Sequence, residues 1–116
     1  MARKAEAEPR VIKVAHFIVG HPYPQYKAVE DELKTLQDLV GGFIEMVRLP
    51  NGLVLLCNEE GLMRRLPVGF AVMANHGVQT IHGNFFVCRE SGENFASLRE
   101  TDSIYLVAGV VPIPQD

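Results

Sequence analysis

The chain of 116 residues has the size of one domain, and at that length roughly two-thirds of the unfolded surface is buried, enough for a core without staples. Its 47% hydrophobic and 22% charged residues lie near globular averages and exclude wholesale disorder, while a net charge of −3 argues against a dedicated nucleic-acid binder. No run approaches the ~18 apolar residues that cross a bilayer, and the charged opening MARKAEAEPR has no apolar secretory segment, so a cytoplasmic protein without a membrane partner is expected.

Residues 1–10 mix both charge signs and read as a loose arm before a single domain over residues 11–110. VIKVAHFIV, Val11 to Val19, is rich in β-branched residues and predicts a strand. GHPYPQY breaks any regular element, and Gln25 to Val29 predicts a short edge strand. In EDELKTLQDLVGG the spacing of Leu33, Leu36, Leu39 and Val40 predicts a helix with one apolar stripe. Asp31 is the expected N-cap, and Gly41 or Gly42 the left-handed residue that closes the last turn. Such a short helix is unstable alone and must lie on a sheet.

The next block, Leu39 to Gly61, is a hairpin. Pro50 and Asn51 suit the centre of a type I turn and Gly52 the bulge that follows. This register sets Leu49 opposite Leu53, Val47 opposite Leu55 and Glu45 opposite Cys57 on one face. Met46 opposite Leu56 and Arg48 opposite Val54 make the other. Both faces are largely apolar, whereas antiparallel hairpins at a surface usually alternate with polar residues. Three arrangements explain that: the central hairpin of a sheet covered by helices on one face and loops on the other, the wall of a small curled barrel, or a face buried by a second copy of the chain.

After Gly61, LMRRLP leads to VGFAVMANHG, read as weakly helical with Gly77 as its stop. VQTIHGNFFVCRE predicts one strand centred on Ile81 to Cys88, and Ser91-Gly92 a turn into a short strand, Asn94 to Leu98. Ser97 and Glu100 have capping-box spacing ahead of a last helix, TDSIYLVA, and residues 111–116 are expected as a loose tail. Cys57 and Cys88 lie in apolar runs and read as buried free thiols. The fold class is α+β, with a mixed or antiparallel sheet of about five strands and a single layer of two or three short helices.

LQDLVGGFIEMVRLPNGLVLLCNEEG, followed by RLP, IHGNFFVC and ENFASL, resembles a small domain-of-unknown-function family carried by phages and other mobile elements. The likeness runs from Val11 to Tyr105 and is most specific in the helix, hairpin and Cys-Asn-Glu-Glu-Gly block. One departure stands out: the family pattern has an Asn, often followed by Arg, two residues after the Pro of Leu-Pro, where this chain has Gly69 and Phe70. The resemblance implies a genomic setting and no chemistry.

Motifs for catalysis are lacking. His16 and His21, and His76 and His82, have neither the spacing of a metallohydrolase helix nor a cysteine pair nearby, so no metal or other cofactor is expected. His16 reads instead as a half-buried strand residue with one satisfied ring nitrogen. Nothing sets Cys57 or Cys88 beside an imidazole, and the adjacent Glu59 and Glu60 diverge. Asn58 reads first as a turn cap with Gly61 supplying positive φ. In a functional reading its amide stands with Arg64, Arg65 and Arg48, guanidinium forks suited to phosphate, and His82 and Asn84 complete the ligand-binding set. The expectation is therefore a non-enzymatic binding protein of a phage or mobile element, a homo-oligomer that sequesters a nucleotide-derived host immune signal. Its ligand is small and phosphorylated or nucleotide-like. A protein–protein inhibitor or adaptor acting on a host protein through the hairpin sheet is the alternative, and a small hydrolase ranks last.

Overall fold

The computed structural model describes residues 10–115, so the expected arm lies outside the described residues except for Arg10. In chain order the elements are β1 (Val11–Phe17), β2 (Gln25–Glu30), α1 (Leu33–Val40), β3 (Ile44–Arg48) and β4 (Leu53–Asn58). Then follow β5 (Val68–Ala74), β6 (Gly77–His82), β7 (Phe85–Ser91), β8 (Asn94–Ala96), α2 (Asp102–Gly109) and β9 (Val110–Pro112). The large sheet is antiparallel, ordered β2-β1-β7-β4-β3, with β8 also paired to β7; a second sheet is ordered β6-β5-β9. This is the expected α+β class, with two helices.

The strand β7 is the spine of the large sheet, and its side chains alternate between two clusters. Phe86 and Cys88 join Ile12, Val14, Val54 and Leu56 beneath Leu36 and Val40 of α1. Phe85 and Val87 join Phe17, Leu53, Leu55 and Cys57 against Phe70, Val72 and Ile81 of the small sheet and Leu106 of α2. Phe17 stacks on Phe85 at 4.9 Å, and Phe70 meets both rings edge-on at 5.3 Å. The helices, expected in one layer, thus contribute to two separate clusters.

These clusters explain the doubly apolar ribbon. All six residues of β4 are buried, because α1 covers one face of the sheet and the small sheet with α2 covers the other. Of the three arrangements, cover within one chain is the one observed, with a correction: a helix covers one face as expected, but a second sheet with α2, rather than loops, covers the other. Its outer strand β3 forms an edge, where Met46 is 37% exposed. Every expected cross-strand pair occurs, from Glu45 with Cys57 to Arg48 with Val54, and the Leu49 N–H donates to the Leu53 carbonyl at 2.9 Å. The turn differs in one residue: Asn51 takes φ 67° and ψ 26°, left-handed where a type I turn needs about −90° and 0°. Asparagine tolerates that region, and Gly52 follows at φ 81° as expected.

Several local expectations are corrected. VGFAVMA is strand β5 rather than a helix, because Phe70 and Val72 point into the core while Ala71 and Met73 point out, and strands pair on both sides. VQTIHGNFFVCRE is two strands in different sheets, broken at Gly83, whose φ of 88° suits glycine. Asp31 does not cap α1; its carboxylate pairs with Arg10, and Glu32 at the N-cap makes no side-chain bond. Leu33 of the expected stripe is exposed, while Gly41 closes the helix at φ 79° as expected. No capping box forms at α2, since the Ser97 hydroxyl accepts from the Lys13 N–H and Thr101 is the N-cap. Val111 and Pro112, expected in the tail, pair with Ala71 and Phe70. Both cysteines are free and buried, and burial pushes each thiol up to about 12. Among the described residues no helix is long and apolar enough to cross a membrane.

Candidate functional site

Six residues were expected to bind a ligand, and three of them line one cavity of about 360 Å³ at the end of α1: Asn58, Arg64 and Asn84. Asn58, buried at the end of β4, accepts from the Glu60 N–H at 2.8 Å through Oδ1 and donates from Nδ2 to the Val40 carbonyl at 3.2 Å. Its amide therefore ties the turn after β4 to the last turn of α1. Gly61 does not supply the positive φ expected of it; Arg65 does, at 56°. Gly61 serves close approach instead, because a Cβ there would stand 2.7 Å from the His82 carbonyl. Asn84 accepts from the Val19 N–H at 2.9 Å, and among the described residues its Nδ2 has no protein partner.

Arg64 is exposed and forms no ion pair among the described residues. Its guanidinium lies over Gly42, with Nη1 3.6 Å from where a Cβ would be. The same cavity is lined by Asp38, Leu39 and Val40, the last residues of α1. The carbonyl end of a helix carries partial negative charge, and a cation there is stabilising. A bound anion would face that end and the Asp38 carboxylate. The arrangement makes Arg64 first a counter-charge to α1.

The remaining three expected residues stand apart. Arg48 lies at the other end of the hairpin and forks onto Glu90 at 3.0 and 3.3 Å. Arg65 is exposed and does not line the cavity. His82 donates from Nδ1 to the Leu66 carbonyl at 3.1 Å, holding the loop beside the cavity. His16 has both ring nitrogens engaged, Nε2 donating to the Leu39 carbonyl at 3.0 Å and Nδ1 accepting from the Lys27 ammonium at 2.9 Å.

A larger cavity, about 510 Å³, escaped the sequence reading. It lies where β2 edges the large sheet, on the α2 side. Lys13 and Ala28 are cross-strand neighbours, and Tyr26 stands on the same face opposite Ala15. Leu98 and Arg99 form the facing wall, held to β1 because the Lys13 N–H donates to the Ser97 hydroxyl at 2.9 Å and the Leu98 N–H to the Lys13 carbonyl at 3.0 Å. Lys27 borders the cavity, but its ammonium is engaged by His16 on the opposite face. Neither Lys13 nor Arg99 has an acidic partner among the described residues, and Glu100 is the one carboxylate in the lining. The Tyr26 side is open, with the residue 59% exposed. Ala28 and Leu98 give an apolar floor, and the volume lies in the range of small-molecule sites.

Such a lining suits a ligand with an anionic head and a flat or apolar body. No sequence motif announces it, since Lys13 and Arg99 meet only because β8 and the segment after it return alongside β1. Ser103 also lines the cavity, but its hydroxyl donates to the Glu100 carbonyl at 3.0 Å with no imidazole in the lining to activate it.

Glycine at position 69 has a steric reason. A side chain at Gly69 would begin with a Cβ 2.8 Å from Val19, so β5 packs on the turn that follows β1 only with glycine at that position. No curated protein matches the chain, and no solved structure does. A family model does match, over residues 12–107, which is most of the chain. The helix α1, the β3–β4 hairpin, the CNEEG turn and most of α2 fall inside that match, and the chain belongs to the family of the domain of unknown function DUF3846.

Proposed function

We propose that the chain is a non-enzymatic binding protein of a phage or other mobile element, which sequesters a small phosphorylated, nucleotide-like host signal. The cavity between β1, β2 and the start of α2 holds the ligand in this reading, rather than the Arg64 cavity. One observation carries it: two cations without acidic partners among the described residues flank an open tyrosine ring in the cavity of about 510 Å³. Lys13 and Arg99 take the phosphate, Arg99 by its fork, and Tyr26 stacks on the base. Binding by these groups needs no nucleophile and no general base. The mobile-element setting rests on the resemblance of the helix–hairpin–CNEEG block.

Thermal unfolding with a panel of linear and cyclic nucleotides tests the reading. A ligand present at about 100 times its Kd adds about 2.7 kcal/mol, which raises the melting temperature of a domain this size by about 10 °C. A Lys13→Ala, Arg99→Ala double variant should lose that shift, and Arg64→Ala should keep it. No shift across the whole panel sinks the proposal.

A second reading, inhibition of a host protein, draws on a different surface. Phe43, Leu62 and Met63 are exposed at the base of the hairpin, where the Glu59 N–H bonds the Phe43 carbonyl at 2.8 Å. Capture of one host protein from lysate, lost in a Phe43→Ser, Met63→Ser variant, would favour it.

A further inference from the structure

The small sheet has an uncharged outer face and, among the described residues, an unpaired edge strand. Its register puts Val78 beside Met73, and Thr80, Ala71 and Val111 in the next row, all on the side away from the core. Val78 is 69% exposed, Met73 48% and Val111 51%, and no charged residue stands among the five. A sheet face turned to water normally carries polar side chains.

The edges of the two sheets differ in a telling way. Exposed edges are usually guarded against pairing by charge, proline or shortness. β2 carries Lys27 and Glu30, and β3 carries Glu45 and Arg48. β8 and β9 have three residues each, and β9 ends in Pro112. β6, GVQTIH, has six residues and none of these guards. It is the last strand of its sheet, and among the described residues no backbone group of Gly77–Thr80 bonds anything beyond β5.

We propose that two copies of the chain join β6 to β6, antiparallel about a two-fold axis, merging their small sheets into one of six strands. A strand is the occupant because an unguarded row of exposed N–H and C=O groups is a template for pairing with another backbone along its length. The second copy is favoured because a two-fold brings a strand against itself, which a charged strand resists and an uncharged one does not. Val78 and Thr80 then meet the same residues of the second copy, and the two apolar outer faces become continuous. The proposal is independent of the ligand reading, as the cavity at Lys13 and Arg99 lies on the large sheet.

Light scattering coupled to size exclusion, run over a concentration series, gives the test. The native chain should show twice the mass of one chain and dissociate on dilution. Val78→Lys, at an exposed position the single chain tolerates, should give the single-chain mass with an unchanged circular dichroism spectrum. Met46→Lys on the β3 edge should leave the doubled mass intact. Amide exchange at Gly77–Thr80 should slow as concentration rises. A native chain that stays single at every concentration overturns the proposal. So does a doubled mass that survives Val78→Lys, or one that Met46→Lys abolishes.

Discussion

Arg89 stands where β7, the Pro50–Gly52 turn and α2 meet. It donates from Nη1 to the Asp102 carboxylate at 2.8 Å and from Nη2 to the Asn51 carbonyl at 2.7 Å, while Asp102 also accepts from the Arg99 N–H at 2.7 Å. Both side chains are largely buried, so removing one charge strands the other. Asp102→Ala should cost about 3 kcal/mol in urea unfolding, whereas Arg48→Ala, which breaks an exposed pair with Glu90, should cost less than about 1 kcal/mol. His16 gives a pH dependence. Burial lowers its pKa from the usual 6.5; the Leu39 carbonyl opposes that and the Lys27 ammonium adds to it. The folded chain thus holds a neutral imidazole while the unfolded chain takes a proton near the usual value. Its contribution to stability is complete above that value and is lost as pH falls through the lower folded one. The urea midpoint should drop on acidification below 6.5, and His16→Gln should flatten that part of the profile.

At the scale of elements, α1 shows how little of a short helix holds it down. Leu36 and Val40 are buried against the large sheet, but Leu33 is 65% exposed. Leu36→Ala should cost about 3 kcal/mol through the cavity it leaves, and Leu33→Ala should stay within about 0.5 kcal/mol, both read from urea midpoints. Local chemistry was legible in the sequence. The Pro50–Gly52 turn set the register of β3 and β4, and that register is the one observed. β5 was not legible, because a short apolar run fits either period and the decision comes from β6 and β9, the latter far along the chain. The candidate site divides the same way. Asn58, Arg64 and Asn84 were found together because neighbouring turns gather them, while Lys13 and Arg99 were missed because only the tertiary fold joins them.

For the whole molecule, the sequence showed that the hairpin needs cover on both faces and that a helix supplies one, but loops were expected where a second sheet and α2 supply the other. The cover comes from segments on both sides of the hairpin in the chain, with β7 between them as the strand that pairs β1, β4 and β8. That late position has a consequence for synthesis. While the chain is being made, β1 with β2 and β3 with β4 emerge as separate greasy ribbons, and the strand that would unite them has yet to be translated. Contacts of such long range form slowly. Until Phe85–Ser91 clears the ribosome, the nascent chain displays apolar surface that β7 has yet to unite, so the risk of aggregation belongs to that stage rather than to the released chain.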